Sequence, residues 1–278
     1  MIIDLESNAL KLRREILKTC FNGRGGHLPP SLSALDILNA LYFGGILRYN
    51  PSDPRWELRD RFVLSKGHAA LAIYNVLCDA GFFSRDALNS FCKPGTIFGA
   101  HPTIKIPGIE ASTGALGHGI SFAVGLAIAA KKRNREYLIY ALTGDGECQE
   151  GSVWEAAMSI GHFGLNNLVW IIDHNQWQAT GKVVETMNVE SLFDKARAFG
   201  LDPIEINGHN YDELREALSI NRNHLPNKPR VVIANTIKGK GIHFIENKRE
   251  WHSRIPNDSE FRIMSEELGL TFEEFLAI

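Results

Sequence analysis

An α/β fold is predicted: three layers, with a mostly parallel sheet covered by helices on both faces. Three observations lead there. Short, continuous apolar runs recur between residues 61 and 236, and helical stretches separate them, which is the order of strand–helix–strand crossovers. The runs do not alternate apolar with polar, as expected of strands buried on both faces. Glycine, aspartate, asparagine and histidine collect just past the runs, and in such sheets ligands bind at the carboxyl ends of the strands.

The first third reads as helices and loops. Ser7 can cap an amphipathic helix running to Cys20, and Ser31 or Ser33 another running to Tyr42, with Leu35, Leu38, Leu41 and Tyr42 on its apolar side. Between them lies the glycine-rich loop NGRGGHLPPS. Strands follow at Arg61–Ser65, Tyr137–Thr143, Leu168–Asp173, Pro203–Ile206 and Arg230–Thr236. Helices are expected at His68–Ala80, Gly119–Lys132, Val153–His162, Leu192–Phe199 and Tyr211–Ile220. From about residue 259 to 278 an acidic amphipathic tail carries Phe261, Met264, Leu268, Phe272 and Phe275, a face suited to docking. No repeat, low-complexity tract or linker divides the chain, so residues 1–278 are read as one domain.

Composition sets limits on function. With 30 Lys+Arg against 32 Asp+Glu and 44% hydrophobic residues in 278, the chain is globular, and disorder and collagen-like repeats are excluded. A net charge of -2 gives no basic field for nucleic acid or an anionic membrane. The amino terminus lacks the uninterrupted apolar stretch of an export signal, and the run Ile120–Ala130, broken by Ser121 and Gly125, is far shorter than the roughly 20 residues that span a bilayer. Cys20, Cys78, Cys92 and Cys148 are widely spaced without a CxxC pair, so reduced thiols and a cytoplasmic location are expected rather than disulfides or structural zinc.

The chemistry concentrates after two successive strands. GDGECQEG follows YLIYALT, and HNQWQATG follows LVWIID. Asp145 and Asn175 stand 30 positions apart, about one strand–helix–strand unit, which brings both to one sheet edge. A carboxylate, an amide oxygen and a backbone carbonyl form a hard-oxygen half-shell suited to Mg²⁺, completed by phosphate and water. Gly144 and Gly146 allow close approach of a ligand to the backbone. Taken singly, GDG also reads as a strand-to-helix turn with an Asp cap, and Asn175 as a turn residue.

At these residues the sequence resembles the thiamine-diphosphate enzymes, and among them the transketolases. The matching motifs are GGH at Gly25–His27, NPSDPRWELRDRFVLSKGH at Asn50–His68, GAHP at Gly99–Pro102, STGALGHG at Ser112–Gly119, GDGECQEGSVWEA at Gly144–Ala156, DHNQWQATG at Asp173–Gly181, and TIKGKG followed by Trp251–His252. They cover about residues 5 to 258 and only the amino-terminal, diphosphate-binding part of the family.

The resemblance implies Asp145, Asn175 and the carbonyl of Trp177 as ligands of Mg²⁺. It implies Gly144, Gly146, Glu147 and the segment Gly114–Ala115–Leu116 as contacts to thiamine diphosphate, beside a helix whose first amides favour anions. His27 and His252 would exchange protons with the sugar, while His68 and His101 hold the phosphates and the reacting end. His68 and His252 would also touch the cofactor. Imidazoles suit this work because their ordinary pKa lies near neutrality; read without the resemblance, each is a surface or structural histidine. Glu150 and Glu155 match glutamates of a proton-sharing network at a subunit interface, or else are ordinary first-turn and solvated helix residues. His162 and His174 are read as structural or peripheral. Lys66 and Lys238 are read as solvated, with a phosphate contact as the alternative.

The family's cofactor-activating glutamate and its ring-stacking aromatic belong to a second domain that this sequence does not carry. The expectation is therefore an amino-terminal subunit completed by a separate carboxy-terminal subunit in a heterotetramer, acting on sugar phosphates. Four departures, Leu28, Pro29, His118 and Ser253, fall near the reacting end and suggest a specialised pathway. The competing readings are decarboxylative transfer from a 2-oxo acid, a noncatalytic regulatory subunit, and a Mg²⁺-dependent phosphohydrolase.

Overall fold

The structure, a computed structural model, describes residues 3–278. It opens with α1 (Leu5–Gly23) and α2 (Leu28–Phe43), then β1 (Arg61–Leu64), α3 (Ala70–Asp79) and the single turn α4 (Arg85–Leu88). The core crossovers follow: α5 (Gly119–Lys132), β2 (Ile139–Gly144), α6 (Gly151–His162), β3 (Leu168–His174), α7 (Val183–Thr186), α8 (Leu192–Ala198), β4 (Asp202–Asn207), α9 (Tyr211–Leu218) and β5 (Arg230–Asn235). Two helices, α10 (Asp258–Glu267) and α11 (Phe272–Ala277), close the chain.

All neighbouring strands pair in parallel, in the order β1-β2-β3-β5-β4. Successive residues of a strand face opposite sides, so each strand serves two cores. Tyr140 and Leu142 join the layer of α1, α2, α3, α9 and the final helices, whereas Ile139 and Ala141 join the layer of α5, α6 and α8. This is the expected three-layer α/β architecture. Parallel pairing also aligns the carboxyl ends of all five strands on one edge, and the loops leaving that edge carry the site.

Both expected caps of the first two helices are corrected. Asp4, not Ser7, caps α1, accepting from the amide of Glu6, and Ser7 Oγ donates back to Asp4. Helix α2 begins at Leu28, so Pro29 and Pro30 lie in its first turn, where a missing N–H costs nothing. Ser31 and Ser33 are therefore buried within the helix. The expected helix at His68 starts instead as a short 3₁₀ turn, Gly67–Ala69, that leads into α3.

The tail docks on its own chain. Phe21 of α1 meets Phe261, Phe272 and Phe275 edge-on at 5.1, 6.2 and 5.5 Å. Arg14 Nε donates to the Leu268 carbonyl at 2.9 Å and Lys18 Nζ to that of Leu276 at 2.8 Å, so cations of α1 meet the carboxyl ends of α10 and α11, where the helix dipole favours them. Phe261→Ala is expected to cost about 3–5 kcal/mol, read as a lower urea midpoint with an unchanged slope. Leu276→Ala, at an exposed position, should stay within about 0.5 kcal/mol.

Candidate active site

A cleft of about 380 Å³ opens at the carboxyl edge of the sheet. Asp145 and Gly146 reach it from β2, Asn175 and Trp177 from β3, Lys66 and His68 from β1, and His252 from the loop after β5. His27 enters from the start of α2, and His101 and Gly114 from the long α4–α5 connection. Most of the expected site residues are thus brought together: His27, His68, His101, His252, Gly114, Leu116, Gly144, Asp145, Gly146, Glu147, Glu150, Asn175 and Trp177 all line one cavity. Ala115 and Glu155 do not line it and are exposed. His118 and Ser253 are exposed as well, outside the lining.

Asp145, after β2, is tied to the turn that follows Asn175, after β3. Asp145 Oδ1 accepts from the amide of Gly146 at 2.7 Å and its Oδ2 from the amide of Gln176. Asn175 Oδ1 accepts from the amide of Trp177 at 3.0 Å, and its Nδ2 donates to Asp173 Oδ2 at 3.2 Å and Ser33 Oγ at 3.3 Å. Both donors of that amide are thereby committed, which fixes which end is oxygen. Burial, and then the charge of Asp173, raises the Asp145 carboxyl above its ordinary range, a condition that a bound cation would relieve.

Glu147 ties the loops together. Its Oε1 accepts from the amide of Gly117 at 2.9 Å and from Ser65 Oγ, and its Oε2 accepts from the amide of Gly144 at 3.0 Å. The carboxylate therefore organises three loops with its own oxygens. At the start of α5 the Ile120 amide donates to Ser65 Oγ at 3.1 Å, which commits that one amide.

Two glycines shape the cavity. Gly144 lines it with nothing within 4 Å of where a Cβ would stand, so a side chain there would fill the space. Gly114 has φ +143, and a Cβ would lie 3.0 Å from the His101 ring, a backbone region that L-residues rarely adopt.

The imidazoles form one cluster: His27 lies 5.8, 5.7 and 5.7 Å, centroid to centroid, from His68, His101 and His252. His27 Nδ1 is buried with no hydrogen-bond partner. Burial, followed by His101 and Lys238, lowers His27 to about 4. Burial, followed by Lys238, lowers His252 to about 3. Burial also holds His68 well below 6.5 and lowers His101. At neutral pH the cluster is uncharged.

Lys66 and Lys238, read from the sequence as solvated, are buried instead, at 1% and 0% exposure. Lys66 pairs with the fully buried Asp173, which also accepts from Ser33 Oγ at 2.6 Å and from Thr236 Oγ1. Lys238 Nζ donates to His252 Nδ1 at 2.9 Å and to the carbonyls of Gln178 and Trp177 at 3.3 and 3.5 Å. Burial and the neighbouring Lys66 bring Lys238 down to about 8. No local signal marks either lysine, because the partners that bury them come from other segments of the chain.

His174 is held by Asn235 Oδ1 at 2.7 Å and Glu190 Oε1 at 2.9 Å, outside the lining, and His162 packs against Phe163. All four cysteines are free thiols. Among the described residues, no three His, Cys, Asp or Glu side chains group to hold a metal by themselves, and no helix is long and apolar enough to cross a membrane.

A parallel sheet whose strand tips converge on a polar cleft, with buried cations and neutral imidazoles, defines an α/β enzyme of the type that holds an anionic cofactor. The thiamine diphosphate binding domain of transketolases matches residues 11–278, and the chain belongs to the transketolase family as its amino-terminal part. It is 41% identical over 272 residues to a subunit of the apulose-4-phosphate transketolase of Phocaeicola vulgatus, covering 97% of this chain and 95% of that one. It is 40% identical over 252 residues to the 6-deoxy-6-sulfo-D-fructose transketolase subunit SqwG of a Clostridium species, covering 90% of this chain and 91% of that one. A solved Campylobacter jejuni transketolase superposes with TM-score 0.89 at 32% identity, covering 98% of this chain. The chain spans 44% of that transketolase.

Low histidine pKa values make the fold sensitive to acid. The folded values of about 4 and 3 lie below the ordinary 6.5, so as pH falls the unfolded chain binds protons first. Stability should be full above pH 6.5 and decline towards pH 4. Urea denaturation at stepped pH should show that decline, and the pair His27→Gln and His252→Gln should flatten it; an unchanged profile in the double variant would assign the decline to other groups.

Proposed function

We propose that this chain is the cofactor-holding half of a transketolase that moves a two-carbon ketol unit between sugars with an anionic end, completed by a separate subunit carrying the second domain. The observation that carries this reading is the joint presence, in one cleft, of the Asp145–Asn175 pair and the His27, His68, His101 and His252 cluster. An acyl-transfer subunit for 2-oxo acids has no use for so many loop imidazoles, whereas a polyhydroxylated substrate does. Two relatives named as subunits match this chain over nearly their whole length, and their names specify a sugar phosphate and a sulfo sugar. None of the departures at Leu28, Pro29, His118 and Ser253 lines the cleft, contrary to expectation, so a specialised sugar pathway rests on those two relatives.

The residues suit the cofactor and its metal. Asp145, Asn175 Oδ1 and the Trp177 carbonyl would supply hard oxygens for Mg²⁺, and the open space beside Gly144 suits a diphosphate. Thiamine diphosphate, when bound, supplies a thiazolium carbon that serves as nucleophile and electron sink. His68 would contact its phosphates, Gly114 and Leu116 would flank it, and Lys238, fully buried behind the lining, would act through His252 and the Trp177 carbonyl. His27, neutral at pH 7, would accept a proton from the sugar's hydroxyl, and His252, whose Nδ1 accepts from Lys238 so that its own proton sits on Nε2, would donate to the carbonyl. Lys238, near 8 and bonded to His252 Nδ1, replenishes that ring.

Glu150, at the N-cap of α6, and Glu155 and Met158, on α6, are exposed, and Phe122 of α5 is 55% exposed. Helices α5 and α6 pack together, and their apolar outer face with two carboxylates suits burial against another subunit of a heterotetramer. The four free thiols suit a reducing compartment such as the cytoplasm.

Asn175→Ala should weaken Mg²⁺-dependent thiamine diphosphate binding to the two-subunit complex at least about tenfold, measured by calorimetry. The complex should consume a ketose phosphate without releasing CO₂. Consumption of a 2-oxo acid with CO₂ release would favour the decarboxylative reading, and turnover by this chain alone would refute the split site.

A further inference from the structure

Arg13 of α1, Asp36 of α2 and His209 in the β4–α9 turn form a buried cluster that lies outside the cleft and takes no part in the chemistry proposed for it. Asp36 is 3% exposed. Its Oδ2 accepts from Arg13 Nη2 at 2.7 Å and lies 2.6 Å from His209 Nδ1, while Oδ1 accepts from Tyr211 Oη at 3.0 Å. On the far side of the ring, His209 Nε2 accepts from the amide of Ile237 at 2.9 Å. An imidazole that accepts at Nε2 is neutral and carries its proton on Nδ1, where Asp36 takes it, so the carboxylate sets the tautomer.

The same cluster grips the next turn of chain again. Arg13 Nε donates to the Lys240 carbonyl at 3.1 Å, and Arg13 Cδ lies 2.8 Å from where a Cβ on Gly241 would stand. A third hold comes from the amide of Gly239, which donates to the Pro29 carbonyl at 3.0 Å, two residues from His27. Between these fixed points stands Lys238, whose ammonium meets His252 and the carbonyls of Trp177 and Gln178.

We propose that Asp36, His209 and Arg13 are positioning residues: they clamp the turn 237–241 from behind and thereby hold the fully buried Lys238 ammonium against His252 and the Trp177 carbonyl, two residues that line the cleft. A lysine side chain carries roughly 1.5–2 kcal/mol of rotamer entropy, and a mobile backbone beneath it would add to the ordering needed when an anion binds. Buried charge at 13 and 36 is costly unless it does structural or functional duty; here it anchors backbone atoms on both sides of the one lysine that touches His252 and the Trp177 carbonyl. The proposal rests on the reading of the cleft as the thiamine diphosphate site.

The test is a double-mutant cycle on thiamine diphosphate affinity, measured by calorimetry with Mg²⁺ on the full chain in complex with its partner subunit. His209→Asn keeps a partner for Asp36 and removes the acceptor of the Ile237 amide; His209→Gln places an amide oxygen near the lost Nε2. His209→Asn should weaken binding about tenfold, His209→Gln should recover most of the loss, and in a Lys238→Met background His209→Asn should have no further effect. Asp36→Asn should reproduce the weakening and its disappearance without Lys238. A loss of equal size with and without Lys238, or a folded His209→Asn complex that binds as the wild type does, would overturn the positioning role. Wild-type complex without any affinity for thiamine diphosphate would overturn the reading of the site along with it.

Discussion

The carboxylate of Asp173 is the constraint on which the site depends. It is fully buried at the end of β3 and gathers Lys66 from the tip of β1, Ser33 from α2, Thr236 from the end of β5 and the amide of its near neighbour Asn175. A buried charge without partners is strongly destabilising, so this one carboxylate compels four separate elements to meet in a single arrangement. Asn175 inherits its orientation from that meeting, and Lys66 its burial. Parallel pairing brings the strand tips to one edge; Asp173 makes that edge rigid.

Glu147 repeats the device one strand over. Its two oxygens bind the amides of Gly117 and Gly144 and the hydroxyl of Ser65, so the floor of the cleft is held by acids that are already satisfied. The groups left over are of another kind: an imidazole nitrogen of His27 with no partner, an oxygen of Asn175 with one lone pair unused, and an ammonium resting on two carbonyls. A chain with a net charge of -2 thus keeps two ammoniums, Lys66 and Lys238, buried at the cleft beside neutral histidines, without a basic field over the whole surface.

Much of this was legible in the sequence, for identifiable reasons. The strands were read well because parallel strands buried on both faces are continuous apolar runs, as in LVWIID, and the residues that follow them fall at the site by topology alone. The helix starts were read less well: a serine near a helix start is a local cue, whereas Asp4 at one helix and Pro29–Pro30 in the first turn of another are choices settled by packing. Lys66 and Lys238 escaped because their partners lie far off in the chain, Asp173 for one and Trp177 and His252 for the other, and nothing local to a lysine announces a buried ion pair. The tail's apolar face was visible, yet its partner, Phe21 with the helix-capping Arg14 and Lys18, was not, since docking is a property of the folded surface.

The proposed function requires that Asp145 from the tip of β2, with Asn175 and the Trp177 carbonyl after β3, hold a divalent ion. The direct measurement is anomalous diffraction at the manganese edge from crystals of the complete complex grown with thiamine diphosphate and Mn²⁺. One strong peak is expected, bounded by an Asp145 carboxylate oxygen, Asn175 Oδ1 and the Trp177 carbonyl, in contact with the diphosphate. A diphosphate bound in the cleft with the manganese peak elsewhere, or with none, would contradict this arrangement.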